Sequence, residues 1–316
     1  MTSWGFTLSS EEHPPADLVA QAQRAEGAGF EFLTISDHFH PWIDEQGHSP
    51  FVWTVLGAVA QVTSRVRVGT GVTCPILRIH PAIVAHAAAT TAVLFDGRFF
   101  LGLGTGEALN EHVLGQRWPA IEIRQEMLAE AIDVMRQLWT GEVVDHRGTH
   151  FEVENARLYD VPENPIPVIV SAFGTKAGEV AGRAADGIWM TSPNSEAIAA
   201  YQDAGGTGPR IGQLTIFWAA TEDEAIATAH RVWPNSAVPG QLSQDLPTPT
   251  HFQQASSLVR SEDVAKEIIC GPDPGPVLEA MRSYEEGGLD HVHLHQVGPD
   301  VDGFLRFWEE ELAPKL

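Results

Sequence analysis

Short apolar runs alternate with longer stretches of helical period along nearly the whole chain. The runs are SWGFTL (3–8), EFLTIS (31–36), VRVGTGV (66–72), FFLGLGT (99–105), PVIVSAF (167–173), GIWMTS (187–192), IGQLTIFWA (211–219) and HVHLHQV (291–297). Most are bounded by Gly, Pro, Asp or Asn, the punctuation expected of buried strands. The clearest helical pattern covers 122–139, where Ile123, Met127, Leu128, Ala131, Val134, Met135 and Leu138 fall on one stripe. Pro15 opens another helix that Gly27 and Gly29 close, and Thr221 stands as an N-cap before the acids of TEDEAIATAHRVW. Eight strands with intervening helices predict a (β/α)8 TIM barrel, one domain over 1–316. A doubly wound open sheet uses the same alternation, but no dinucleotide fingerprint accompanies it here. The extra length lies in two insertions. One, 142–165, reads as a small hairpin about Arg147-Gly148; the other, 235–259, is rich in Pro, Gln and Ser and precedes a helix at 261–269.

Composition narrows the setting. Among 316 residues, 42 acids against 19 bases give a net charge of -23. That balance argues against binding nucleic acid or an anionic membrane. Cys74 and Cys270 are too few for a disulfide framework and have no zinc-type spacing, as expected of a protein in a reducing cytoplasm. The start MTSWGFTLSSEEHPP lacks a basic segment followed by an apolar one. No uninterrupted apolar run is long enough to span a bilayer.

Barrel enzymes work at the C-terminal ends of their strands, and the chemistry-bearing residues of this chain gather there. SDHFHPW follows the second strand with Asp37, His38, His40 and Trp42, GTGVTCP follows the third, and GLGTGEALNEH follows the fourth with Glu107 and Asn110. Three chemistries are open: a metal site, an acid–base site beside a planar cofactor, or a crowded polar loop. His38 and His40 share a side if extended, and His291, His293 and His295 alternate along the eighth strand. No Asp or Glu accompanies them within that strand, so they are assigned to a hydrogen-bonded inner wall and no metal is expected. A carboxylate at a barrel mouth, such as Glu107, must be solvated, paired or used.

SDHFHPW, GTGVTCP, GLGTGEALNEH, MRQLWTG and AGRAADGIWMTS together resemble the bacterial luciferase-like flavin and deazaflavin oxidoreductases. They are most similar to the glucose-6-phosphate dehydrogenase family that uses coenzyme F420, and the similarity runs from WGFTLSSEEHPP to FLRFWEEELAPKL. The resemblance implies a barrel, a homodimer and a small-molecule substrate. It implies Asp37 beside the deazaflavin, His38 as catalytic base, Trp42 steadying the substrate, and Glu107 as acid with Asn110 near it. Glu11 matches a pocket carboxylate. A cis peptide is implied between Gly71 and Val72 behind the ring, with Thr73 and Gly106 alongside. The cofactor phosphodiester is implied at Gly174, Thr175 and Lys176, where a glycine loop meets a helix N-terminus.

The chemistry suits those residue types. A deazaflavin carries hydride, so the protein must orient the donor carbon and manage one proton. A histidine is suited to take a hydroxyl proton, and a protonated Glu107 can meet negative charge growing on the ring if burial holds its proton. The expected activity is therefore F420-dependent hydride transfer involving an alcohol or sugar-type hydroxyl, or the corresponding carbonyl. An FMN-dependent monooxygenase is the alternative; a metal-dependent hydrolase and a non-catalytic cofactor-binding protein are more distant ones. The family's sugar-phosphate enzymes hold phosphate with two lysines and an arginine, positions that fall here on Asn194, Gln254 and Glu267. At about 1.5–3 kcal/mol for each charged hydrogen bond lost, glucose 6-phosphate is not the expected substrate, and an uncharged or cationic alcohol or ketone is.

Overall fold

All eight apolar runs form strands in the computed structural model, which describes residues 2–316. The strands in chain order are β1 (Ser3–Leu8), β2 (Phe32–Ile35), β3 (Arg67–Thr70), β4 (Phe99–Leu103), β5 (Val144–Arg147) and β6 (Glu152–Ala156). They continue with β7 (Val168–Ser171), β8 (Gly187–Met190), β9 (Arg210–Phe217), β10 (Ile269–Cys270) and β11 (His291–Gln296). Parallel neighbours run β9-β11-β1-β2-β3-β4-β7-β8, and β8 pairs back onto β9 to close the barrel. The strands β5 and β6 stand apart as the antiparallel hairpin expected about Arg147-Gly148.

The barrel interior is filled by pairing large rings with missing side chains. Gly5 lies opposite Phe32 and Gly69 opposite Phe100 in the register. A Cβ on either glycine would approach the facing ring to 2.7 or 2.3 Å. Phe32, Phe100 and Trp189 join Ile169 and Ile211 in one buried cluster, each buried Phe contributing about 1.5–3 kcal/mol. This plug closes the barrel below the strand ends, so function is confined to the rim above it.

The outer helices follow the predicted stripes with two differences. The helix Ile121–Leu138 buries Met127, Leu128, Ala131, Ile132, Val134, Met135 and Leu138, but Ile123 is 41% exposed while Arg124 is 1% exposed. Arg124 stays inside because its guanidinium donates to the carbonyls of Thr105 and Gly106 and to Gln244 Oε1, the last two at 3.0 and 3.2 Å. The helix expected over 261–269 ends at Glu267, and Ile269 pairs with Ile216 to add β10 beside β9. The insertion after β9 is built of short helical turns: Pro234–Ala237, Leu242–Asp245 and Pro249–Ser256. It is anchored by Phe252, fully buried against Ile43 and Leu109 and edge-on to Trp42 at 5.1 Å. No described helix is long and apolar enough to cross a membrane.

Candidate active site

The strand ends open into a cleft of two adjoining cavities, about 730 and 450 Å³, which share Val72, Gly106, Glu107 and Gln244 among their walls. The larger holds the predicted acid–base residues. Glu11, just past β1, is 2% exposed and accepts from Ser36 Oγ at 2.6 Å. Its other oxygen lies 3.1 Å from His38 Nδ1, at an angle that is not that of a hydrogen bond. With Nδ1 turned to Glu11, Nε2 is the ring nitrogen left for a substrate. Trp42 meets the His38 ring edge-on at 5.1 Å.

Trp42 is placed by a device the sequence did not announce. Gln46, 5% exposed, accepts from Trp42 N–H at 2.8 Å and donates to the Val232 carbonyl at 3.0 Å. One carboxamide thus ties the loop after β2 to the segment that carries Trp233.

Asp37 and Asn110 brace the rim. Arg78 donates to Asp37 Oδ1 at 2.8 Å and Thr73 to Oδ2 at 2.8 Å, so both carboxylate oxygens are committed inside the protein. Arg78 also meets Glu111 at 3.5 Å, which makes a buried two-acid, one-base cluster. Breaking one member would strand a buried charge. Asn110 Oδ1 accepts the N–H groups of Phe39 and His40 at 2.9 and 3.1 Å. Its Nδ2 is buried in the cleft wall without a partner. Glu107 stands where the two cavities meet and is half-buried.

Several features of this cleft fit a flat ring with an anionic tail. The Gly71–Val72 peptide is cis, and a Cβ on Gly71 would lie 2.0 Å from Trp189. Gly106 has φ 70° with Cys74 beneath it, a Cβ there falling 2.6 Å from Sγ, so backbone alone lines the wall. The orphaned Asn110 amide offers a donor. At the far end, Gly174 begins the helix Thr175–Ala184 with nothing within 4 Å of a Cβ built on it, and Thr175 and Lys176 line the smaller cavity. Free N–H groups and the helix dipole there favour an anion. Lys176 is exposed and 4.0 Å from Glu122, so its charge is partly engaged.

The histidines of β11 form an inner wall. His293 Nδ1 bonds Thr7 Oγ1 at 2.7 Å, and His295 Nδ1 faces Gln213 Nε2 at 3.3 Å. Burial holds His293 well below the usual histidine range. Among the described residues, no three His, Cys, Asp or Glu side chains gather as a metal site requires. Asn194, Gln254 and Glu267 line neither cavity. Asn194 is committed as an N-cap, accepting from Ala197 N–H at 3.0 Å. Gln254 is exposed on the helix whose buried positions are Phe252 and Ser256, and Glu267 is exposed at the end of Ser261–Glu267. The groups facing the cavity in their stead include Thr191, Gln213, Asn235, Gln241 and Gln244. Of these, only Gln213 left a sequence signal, as a polar residue inside an apolar strand run.

A luciferase-like rim on a closed parallel barrel defines a class of enzyme, and residues 2–291 match the luciferase-like monooxygenase family, to which this chain belongs. Within that class, its relatives include the F420-dependent glucose-6-phosphate dehydrogenases of Segniliparus rotundus and Mycobacterium avium. They are 37% and 36% identical, and in both cases the match covers 99% of this chain and 97% of the relative. A solved F420-dependent secondary alcohol dehydrogenase in complex with an F420-acetone adduct superposes with TM-score 0.90 at 30% identity, over 98% of this chain and 97% of that one. The coenzyme F420-dependent tetrahydromethanopterin reductase of Methanopyrus kandleri shares the fold, with TM-score 0.80 at 22% identity over 99% of each chain.

Proposed function

We propose that this chain is a coenzyme F420-dependent dehydrogenase acting between an alcohol or sugar-type hydroxyl and the corresponding carbonyl, and that glucose 6-phosphate is not its substrate. The observation that carries this reading is the asymmetry of the cleft. Its larger cavity is lined by Glu11, Asp37, Glu107 and Glu111 but, among the described residues, by no Lys or Arg. Its smaller cavity ends on a helix N-terminus with Lys176. An anionic tail therefore has a place and a phosphorylated substrate does not, because a phosphate requires charge-assisted donors. The relatives' F420 dependence supports the cofactor assignment.

Gly71, Val72, Gly106 and Asn110 would hold the ring, with Asp37 and Thr73 bracing the wall, and Gly174, Thr175 and Lys176 would hold the phosphodiester. When bound, the deazaflavin supplies a carbon that exchanges hydride, a two-electron step. The protein's own task is the proton. His38 takes it from the substrate hydroxyl at Nε2, and the Glu11 carboxylate beside Nδ1 steadies the imidazolium that forms. Trp42 packs on His38 and limits water and rotation there. Glu107 serves as the acid at the junction of the two cavities.

His38→Ala is expected to lower hydride transfer on an alcohol by about 100-fold or more; full rate in the variant would remove the base assignment. Titrating the protein with F420 and with FMN separates this reading from a flavin monooxygenase, since tight FMN binding with none of F420 would overturn it. Micromolar-KM turnover of glucose 6-phosphate would refute the exclusion of phosphate. The proposal includes one barrel domain, a homodimer and a cytoplasmic location. Exposed Ile83, Val93 and Leu94 on the helix Pro81–Phe95 offer a face to bury, and both cysteines are free thiols. A monomer by light scattering at micromolar concentration would remove the dimer.

A further inference from the structure

The cavity that holds His38 has a second polar feature that proton and hydride transfer leave unused. His295 Nδ1 faces Gln213 Nε2 at 3.3 Å. An amide nitrogen only donates, so Nδ1 accepts and the ring hydrogen sits on Nε2. That Nε2 is buried and has no partner. Burial pushes the ring down to about 4, so near neutral pH it is an uncharged donor and not a cation. Asn235 presents the complement, an Oδ1 that is buried and has no partner. The two belong to one wall: Trp233, two residues before Asn235, meets His295 edge-on at 5.0 Å, and all three line the cavity with His38.

An orphaned donor and an orphaned acceptor lining one cavity select a chemistry. A hydroxyl satisfies both, accepting from His295 Nε2–H and donating to Asn235 Oδ1. An ether, carbonyl or phosphate oxygen only accepts, and an ammonium only donates, so each leaves one buried group unpaired. Thr191, Gln213 and Gln241 are further hydrogen-bonding groups of this cavity. Trp42 and Trp233, whose segments Gln46 ties together, add flat apolar surface suited to the C–H face of a ring.

We propose that the substrate is an uncharged polyhydroxylated molecule, a polyol, cyclitol or unphosphorylated sugar. One hydroxyl is oxidised beside His38 and a second is held between Asn235 and His295. This rests on the dehydrogenase reading and fixes its substrate class. The reaction balances without a further reactant: the carbinol C–H leaves as hydride to the deazaflavin, the O–H proton passes to His38, and the second hydroxyl is unchanged.

Two measurements test it. Intrinsic tryptophan fluorescence of the protein without cofactor is titrated with myo-inositol, glucose, glycerol, 2-propanol, glucose 6-phosphate and ethanolamine. Steady-state F420 reduction is then followed with the same panel in wild type, Asn235→Ala and Asn235→Asp. At least one neutral polyol is expected to change the emission and to turn over with a KM about tenfold or more below that of 2-propanol. Asn235→Ala should raise the polyol KM about tenfold more than the 2-propanol KM, while Asn235→Asp, which keeps an acceptor oxygen, recovers part of the loss. Preference for 2-propanol, glucose 6-phosphate or ethanolamine, or equal KM rises for polyol and 2-propanol in Asn235→Ala, would overturn the polyol assignment and leave the dehydrogenase standing. Absence of F420 binding and of hydride transfer from every alcohol would instead refute the dehydrogenase reading beneath it.

Discussion

Replacing Glu12 with Gln is expected to stabilise the protein, and more so as pH rises. Glu12 follows β1 beside the site; Oε1 accepts from Gly298 N–H at 2.8 Å, and Oε2 lies 2.9 Å from Ser9 Oγ. The same hydroxyl lies 3.4 Å from Glu11 Oε2, and one hydroxyl hydrogen cannot serve two carboxylates at once. A proton on Glu12 resolves the conflict. Burial pushes this carboxyl up to about 8 from 4.5; the Gly298 N–H and Ser9 pull the other way, and the Glu11 charge adds to the rise. Because the folded pKa is raised, an acid here works against folding once the unfolded chain can ionise. Below about pH 4.5 both states hold the proton. Between 4.5 and 8 only the unfolded chain releases it, and above 8 the penalty is complete. At about 1.4 kcal/mol per pH unit, the penalty is about 3 kcal/mol at pH 7 and about 5 kcal/mol at pH 9. Gln keeps an oxygen for Gly298 and removes the ionisation. Urea unfolding of both proteins at pH 5, 7 and 9 should show the smallest gap at pH 5 and the largest at pH 9. A gap independent of pH, or a wild type more stable at pH 9, would refute the argument.

Three further outcomes are measurable. Glu26 accepts the N–H groups of Ser64, Arg65 and Val66 at 2.9, 3.0 and 3.1 Å. Burial raises its carboxyl, but those donors outweigh burial and hold it below the usual range. Its stabilisation is therefore present above the unfolded pKa and lost as pH falls through the folded one. Glu26→Ala should cost about 3 kcal/mol in urea unfolding at pH 7, with the gap narrowing at pH 3. Gly106→Ala combines a φ of 70° with overlap on Cys74 Sγ, and should cost about 2–4 kcal/mol and weaken cofactor binding by titration. Gln46→Ala removes the bond from Trp42 N–H and the bond to Val232. It should shift the tryptophan emission and raise KM by about fivefold or more with a smaller fall in kcat; unchanged emission and KM would show that the indoles are held by other contacts.

The barrel was legible because each strand is a short apolar run between breakers, and the run 3–8 coincides with Ser3–Leu8. The two-residue β10 was not, since Ile269 and Cys270 are too few to show a period and follow a helical pattern without a break. At the rim, SDHFHPW and GLGTGEALNEH put Asp37, His38, Trp42, Glu107 and Asn110 on the cleft because each motif hangs on a single strand end. Asn194, Gln254 and Glu267 failed to reach it because correspondence in sequence carries over position but not side-chain direction, and Asn194 is turned aside by the helix it caps. Gln46, Asn235 and Arg124 carry no motif; Gln46 and Arg124 matter through contacts to distant segments, Val232 and Gln244, and Asn235 through its place on the cavity wall.

The insertion after β9 has a consequence for how such an enzyme changes its trade. Glu11, His38 and Glu107 stand on the ends of β1, β2 and β4, whereas Asn235, Gln241 and Gln244 all come from one contiguous stretch of chain between β9 and β10. The proposed reactivity is distributed over the strand ends, while a large share of the neutral hydrogen-bonding groups facing the substrate cavity comes from this one stretch. Drift, insertion or exchange within that stretch can redirect the enzyme to a new molecule while the strand ends that perform the oxidation keep their places.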